Sequence, residues 1–170
     1  MELLDAIYQR RSVRQFLPKA VGRADLEKIV AAGIEAPSGC NMQLRRYIIV
    51  DDPAVMARLV PISGVLATAP ACVAVVVKPT ASPYGEYWRQ DASASIQNML
   101  LAETAMGLGG CWIEGPLARH DVKFREILRL PDDVKLCGII SVGYPAQAPA
   151  RPAKSELKSV TYYNGYGEIH

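Results

Sequence analysis

Histidine and phenylalanine are scarce in this 170-residue chain, with two of each, and only four cysteines are present. Cys40, Cys72, Cys111 and Cys137 lie far apart, no two at zinc-like spacing, and His120 and His170 are the only imidazoles. This argues against a metal site and against a disulfide framework, and it favours reduced, mostly buried thiols in a cytoplasmic protein. The chain also lacks a Gly-x-Ser-x-Gly elbow, and neither His sits in a nucleophile's setting, so a hydrolase would have no evident acid-base pair. It has no long hydrophobic run. The longest apolar stretch, Val65 to Val77, is interrupted by Thr68 and Pro70 and falls short of the ~20 residues that cross a bilayer. The opening Met1-Glu2-Leu3-Leu4-Asp5 is acidic and makes a poor signal peptide. No excess of one charge appears either. Lys+Arg 19 against Asp+Glu 17 gives +2, which argues for neither a nucleic-acid nor a membrane partner.

Against this balanced background the basic residues cluster. Arg10-Arg11-Ser12-Val13-Arg14 places three guanidiniums and a hydroxyl within five residues, directly after a helix-patterned stretch from Glu2 to Tyr8. Arg carries a planar fork of donors that stays charged at any working pH, and Ser adds a short neutral donor. The segment is therefore suited to grip a phosphate, held in place by a buried helix.

At this length, with half the residues hydrophobic, the chain fits one domain, 1–170, with a core of its own. The spacing predicts a helix from about Ala24 to Ile34, stopped at Ala36-Pro37. It then predicts a strand at Tyr47–Val50 and a short helix at Val55–Val60 opened by Asp52 as cap and Pro53. Ala71–Val77 is apolar without alternation, as in a strand covered on both faces. A long helix from Asp91 to Met106 ends at Gly107-Leu108-Gly109-Gly110. Further elements are a short strand at Cys111–Ile113, a helix at Val122–Leu130 and a strand at Leu136–Val142. The sum is an α+β layered domain without internal repeats. From about residue 145 the chain is rich in Pro, Lys and Tyr and too short for its own core, so it must either be disordered or lie across something, and its aromatics favour the second.

Four segments could carry chemistry: Arg10–Arg14, Ala36–Gln43, Gly109–Gly115 and Arg151–Lys154. Taken in this order they resemble the nitroreductase family of FMN-dependent oxidoreductases. The opening Arg-(Arg/His)-Ser-x-(Arg/Lys) pattern matches Arg10 to Arg14. The Ala-Pro-Ser-x-x-Asn-x-Gln turn matches Ala36 to Gln43. Asp91, Asn98, Leu101, Ala102 and Gly107-Leu108-Gly109 fit the long-helix pattern, and Val160 with Tyr162-Tyr163-Asn164 fits the closing segment. The resemblance implies a three-layer αβα sandwich with a mixed, mainly antiparallel central sheet. It also implies a homodimer in which residues 145–170 pack on the partner subunit.

Carried over residue by residue, the resemblance puts Arg10 and Ser12, next to Arg11, on the FMN phosphate, with Lys154 and Arg151 returning from the tail. Arg14 would lie by the flavin pyrimidine edge, where negative charge develops on reduction. Pro37, Ser38, Gly39 and Asn41, with Gln43 closing the turn, would line the ring from the partner subunit. Ile113, Glu114 and Gly115 would present backbone N–H groups to the flavin N5 and O4 region. The activity implied is reduction of nitroaromatic or quinone-type acceptors by NADH or NADPH, with ping-pong hydride transfer through flavin N5. Alternatives are another flavin reaction of the family (dehalogenation, flavin destruction or ring oxidation) or a non-catalytic flavin-binding module. The chain departs from the family in three places. Leu44-Arg45 stands where Pro-Trp is common. Pro61–Val65 lacks the Asn and Lys that many members turn to the ring. The lid region is short, leaving Tyr84, Tyr87 and Trp88 either as cover for the substrate face or as ordinary loop packing.

Overall fold

The centre of the fold is set by seven consecutive residues that all avoid water. In the computed structural model, which describes residues 1–80 and 85–168, strand β2 is Ala71–Val77 and every residue of it is buried. β1 (Arg45–Val50) and β4 (Lys135–Val142) flank it, and the two-residue β3 (Trp112–Ile113) forms the far edge, giving the order β1-β2-β4-β3. All three pairings are antiparallel, running from Arg45↔Val77 to Val50↔Cys72 on one side and from Ala71↔Val142 on the other. A register shift falls between Val75 and Val76. The one parallel pairing among the described residues is the isolated bridge between Ser12 and Gly110.

Successive side chains of a strand point to opposite faces, and β2 feeds two separate cores in this way. Ala71, Val73, Val75 and Val77 join Leu26, Ile29, Ile96 and Met99 from α2 (Arg23–Ile34) and α4 (Trp88–Ala105). Cys72 and Ala74 join Met56, Leu59, Leu117 and Phe124 from α3 (Pro53–Leu59) and α5 (Gly115–Leu128). The result is helix, sheet and helix in three layers. Leu26 and Ile29 are wholly removed from water, each worth roughly 1.5–3 kcal/mol of transfer free energy. α2 and α4 approach closely because Gly33 has no side chain. A Cβ there would stand 2.8 Å from Met99 Cγ and 2.9 Å from Ser95 Oγ. Ser95 Oγ donates to the Gly33 carbonyl at 2.8 Å, and Asn98 Nδ2 donates to Ala32 O at 3.2 Å.

Helix ends follow their local chemistry where they have any. Asp52 Oδ1 accepts from the Ala54 and Val55 amides at 2.7 and 3.3 Å, with Pro53 opening α3 as expected. α5 begins at Gly115, seven residues before the expected Val122. Pro116 sits in its first turn and His120 breaks its geometry at φ −133°, so the sequence pattern reads as a turn. β1 begins at Arg45 and α4 at Trp88, two and three residues ahead of expectation.

One expectation about an apolar face is corrected. α1 (Leu3–Gln9) buries only Ala6, while Leu3, Leu4, Ile7 and Tyr8 are exposed within the chain. The apolar side of α4 lies inside, with Ala92, Ser95, Ile96, Met99 and Leu100 all buried in the chain's own core. The tail leaves the fold through Leu17 N–H on Tyr144 O (2.8 Å) and Ala146 N–H on Gln15 O (3.0 Å). Every residue from Arg151 to Val160 is then exposed, the short helix α6 (Leu157–Val160) included. Among the described residues no helix is long and apolar enough to cross a membrane.

Candidate functional site

The Arg10–Arg14 segment runs beside the glycine turn that ends α4. Val13 N–H donates to Gly110 O at 2.9 Å, next to the Ser12–Gly110 bridge. The two glycines there are required by space. A Cβ on Gly109 would meet Val13 Cγ2 at 2.6 Å, and one on Gly110 would strike the Glu103 carboxylate and the Ser141 carbonyl. Val13 and Phe16 are buried anchors. Arg14, between them, is exposed, and Arg10 and Arg11, just ahead of Val13, are half-buried.

Those side chains line a cleft of about 770 Å³ with Ser12, Gln97 and the returning tail, which contributes Arg151, Pro152 and Lys154. Arg10, Arg11, Arg14, Arg151 and Lys154 all line it, and no carboxylate does. None of the five forms an ion pair among the described residues. Arg11 Nη1 donates to the Tyr8 and Arg10 carbonyls at 2.8 and 2.7 Å, and Arg14 Nη1 donates to Ser12 O at 3.3 Å. Five cations with no carboxylate partner repel one another, so the cleft favours an anion. A phosphate monoester fits, since guanidiniums bind it through paired hydrogen bonds and the hydroxyl fills a remaining position.

The other two expected groups stand apart from this cleft. Ile113 ends β3 and is buried, and Glu114 and Gly115 open α5. Glu114 lines a different cavity of about 300 Å³ with Trp88, Arg89, Trp112 and Cys137. Arg89 stacks on the Trp88 ring at 4.2 Å, and burial pushes the Cys137 thiol up to about 12. Of the lid candidates, Trp88 lines this cavity, Tyr87 is exposed, and Tyr84 lies outside the described residues.

Pro37, Ser38, Gly39, Asn41 and Gln43 form a third group on the loop between α2 and β1, around a single 3-10 turn at Gly39–Asn41. Cys40, Asn41 and Gln43 have φ of 48°, 54° and 49°. Left-handed backbone costs a residue with a Cβ roughly 1–2 kcal/mol, so the surroundings must hold the loop. Gly39 N–H donates to Asp91 Oδ1 at 3.1 Å, Gln43 N–H donates to Ser38 Oγ at 3.1 Å, and Gln43 Nε2 donates to Asn41 Oδ1 at 3.0 Å.

Two residues that the sequence reading gave no site role belong to this framework. Arg45 is 5% exposed and lies under the loop. Glu103 is fully buried behind Gly110, with neither carboxylate oxygen hydrogen-bonded. Burial lifts its carboxyl well above the ordinary value of 4.5. Burial likewise raises the adjacent Cys111 thiol from 9.0, against the pull of Arg14, Ser12 and Arg10. The i, i+4, i+7 spacing of Ile96, Leu100 and Glu103 is a signal in the sequence that places this acid on the core side of α4.

Fold and cleft together define a three-layer α+β protein with a surface cleft lined by five cations and no carboxylate. The chain belongs to the nitroreductase family of oxidoreductases, whose model matches residues 7–78 and 62–144. A curated relative from Archaeoglobus fulgidus, named for an NADH dehydrogenase/NAD(P)H nitroreductase, is 33% identical over 150 residues, covering 85% of this chain and 86% of the relative. A crystal structure of a similarly named protein from Bacteroides thetaiotaomicron superposes with a TM-score of 0.87 at 31% identity, covering 96% of this chain and 98% of that one. A nitroreductase-type structure from Desulfovibrio desulfuricans, solved in complex with FMN, gives a TM-score of 0.86 at 28% identity over 98% of both chains.

Proposed function

We propose that this protein is an FMN-dependent oxidoreductase that uses NADH or NADPH to reduce nitroaromatic or quinone-type acceptors, working as a cytoplasmic homodimer. The observation that carries the reading is the cleft in which five cations and Ser12 converge without a carboxylate. The FMN complex of the Desulfovibrio relative and the NAD(P)H in the name of the Archaeoglobus relative support the choice of cofactor and donor.

Arg10, Arg11 and Ser12 hold the phosphate with Arg151 and Lys154. Arg14, at the exposed end of the segment, puts its charge by the pyrimidine edge, where it stabilises negative charge that builds up on reduction. Ile113, Glu114 and Gly115 offer backbone amides to the other edge of the ring. Bound FMN supplies the chemistry, carrying two electrons from the nicotinamide to the acceptor. The protein's share is binding, orientation and charge. A single slot for donor and acceptor makes the kinetics ping-pong.

A second copy of the chain completes the site. The exposed Leu3, Leu4, Ile7 and Tyr8 of α1 and Leu157 and Val160 of the tail are the apolar surface it covers. In this arrangement the 145–170 tail packs on the partner, and the Pro37–Gln43 loop lines the partner's flavin. The test is isolation of the protein with its flavin. FMN bound non-covalently and bleached by NADH or NADPH supports the reading. FAD, or no flavin after reconstitution with excess FMN, overturns it.

A further inference from the structure

The departure at Leu44-Arg45 acquires a purpose in the structure. Arg45 opens β1, paired with Val77 at the end of the central strand, and its side chain turns inward. Its guanidinium donates to three main-chain carbonyls: Nη2 to Ala36 O at 2.6 Å, Nη1 to Pro37 O at 3.2 Å and Nη1 to Asp91 O at 3.0 Å. The first two are the residues on which the loop leaves α2, and the third is in the first turn of α4. From the same residue of α4, Asp91 Oδ1 accepts the Gly39 amide. One buried cation and one buried carboxylate thus fasten the start of the loop, Ala36, Pro37 and Gly39, directly before Cys40, Asn41 and Gln43 in left-handed backbone, while Arg45 itself holds the loop's far end in β1. A buried guanidinium is costly unless its donors are occupied. Here they are spent on backbone carbonyls of the loop and its neighbouring helix. An indole, with one N–H, could not bridge three carbonyls from two elements.

We propose that Arg45 is the positioning residue for the Pro37–Gln43 loop, riveting it to α4 in the conformation that meets the flavin ring of the partner subunit. The proposal rests on the FMN reading above. Arg45 touches no reacting atom; it acts through the loop.

The test uses the full-length protein in three versions: wild type, Arg45→Met and Arg45→Lys. Met keeps similar length and loses every donor, whereas Lys keeps the charge and three donors. Hydrogen exchange on the protein without flavin reads the loop. The Gly39, Asn41 and Met42 amides should lose at least about tenfold protection in Arg45→Met, while the β2 amides stay unchanged. With FMN bound, Arg45→Met should shift the flavin's visible circular dichroism and midpoint potential and raise the FMN dissociation constant about tenfold or more. Affinity for inorganic phosphate, which reads only the Arg10–Lys154 cleft, should not change. Arg45→Lys should recover part of each effect. Loop amides that exchange as in wild type, a flavin spectrum and potential unmoved in Arg45→Met, or a Lys variant no better than Met overturns the proposal while leaving the cofactor reading intact. A wild-type protein that binds no FMN overturns the reading, and the proposal with it.

Discussion

Glu103 offers the sharpest stability experiment. Both of its oxygens are buried without a donor, behind the Gly110 backbone that carries Ser12. Leaving that carboxylate ionised and unpaired would cost several kcal/mol, whereas keeping it protonated costs only about 1.4 kcal/mol for each pH unit above its unfolded value. Protonation wins, consistent with burial lifting its carboxyl well above the ordinary range. The folded chain therefore keeps a proton that the unfolded chain gives up above about pH 4.3. Folded stability contributed by this group falls as pH rises from there, until the folded carboxyl itself ionises.

Glu103→Gln is neutral at every pH and removes the linkage. Urea unfolding of wild type and Glu103→Gln at a series of pH values cancels the other titrating groups in the difference. Cys111, raised from 9.0 by burial, stays protonated through this window. As pH rises above the unfolded carboxyl's value the wild type should lose stability relative to the variant, by about 1.4 kcal/mol per pH unit while the folded carboxyl keeps its proton. A stability difference that does not change with pH would refute the reasoning, because it would mean that Glu103 ionises equally in folded and unfolded chains.

Other consequences are open to simpler assays. Arg10→Ala should raise the FMN dissociation constant by one to two orders of magnitude, the loss of about 1.5–3 kcal/mol expected for a charge-assisted hydrogen bond, as read by fluorescence titration. Arg14→Ala should slow flavin reduction by NADH or NADPH roughly ten- to a thousandfold in stopped flow, as for removal of one preorganised donor. An Arg14 variant that loses only affinity would make that residue an anchor. Truncation after Ala148 removes Arg151 and Lys154 together with α6, and should cost both dimer and flavin, measured by light scattering and absorbance. Initial rates at varied donor and acceptor should give parallel double-reciprocal lines; intersecting lines would exclude a shared slot.

What could be read from the residues was what local chemistry decides. Asp52-Pro53 announces α3 because a cap and a first-turn proline act within three residues of themselves. Ala71–Val77 announces a central strand because nothing in it tolerates water. The Arg10–Arg14 cluster and the Arg151–Lys154 segment were legible as one site through the family pattern, and the fold brings them to one cleft. Apolar periodicity marks which face of a helix avoids water without saying what covers it, so α1 was read as buried although its apolar side is open within the chain. Arg45 was legible only as a departure. Its partners are carbonyls 8, 9 and 46 residues away, and no pattern along the chain encodes that meeting. The helix that starts at Gly115 was hidden because its first turn carries Gly and Pro, which elsewhere end helices.

The central claim is that the cationic cleft holds FMN for electron transfer from a nicotinamide. Anaerobic titration of the FMN-loaded protein with NADH and then NADPH, followed in the flavin's visible absorbance, tests it most directly. Stoichiometric FMN, bleaching by at least one of the two donors, and return of the colour on adding a nitroaromatic or quinone are the expected results. A protein that takes up no FMN, or whose bound FMN neither donor reduces, would contradict it.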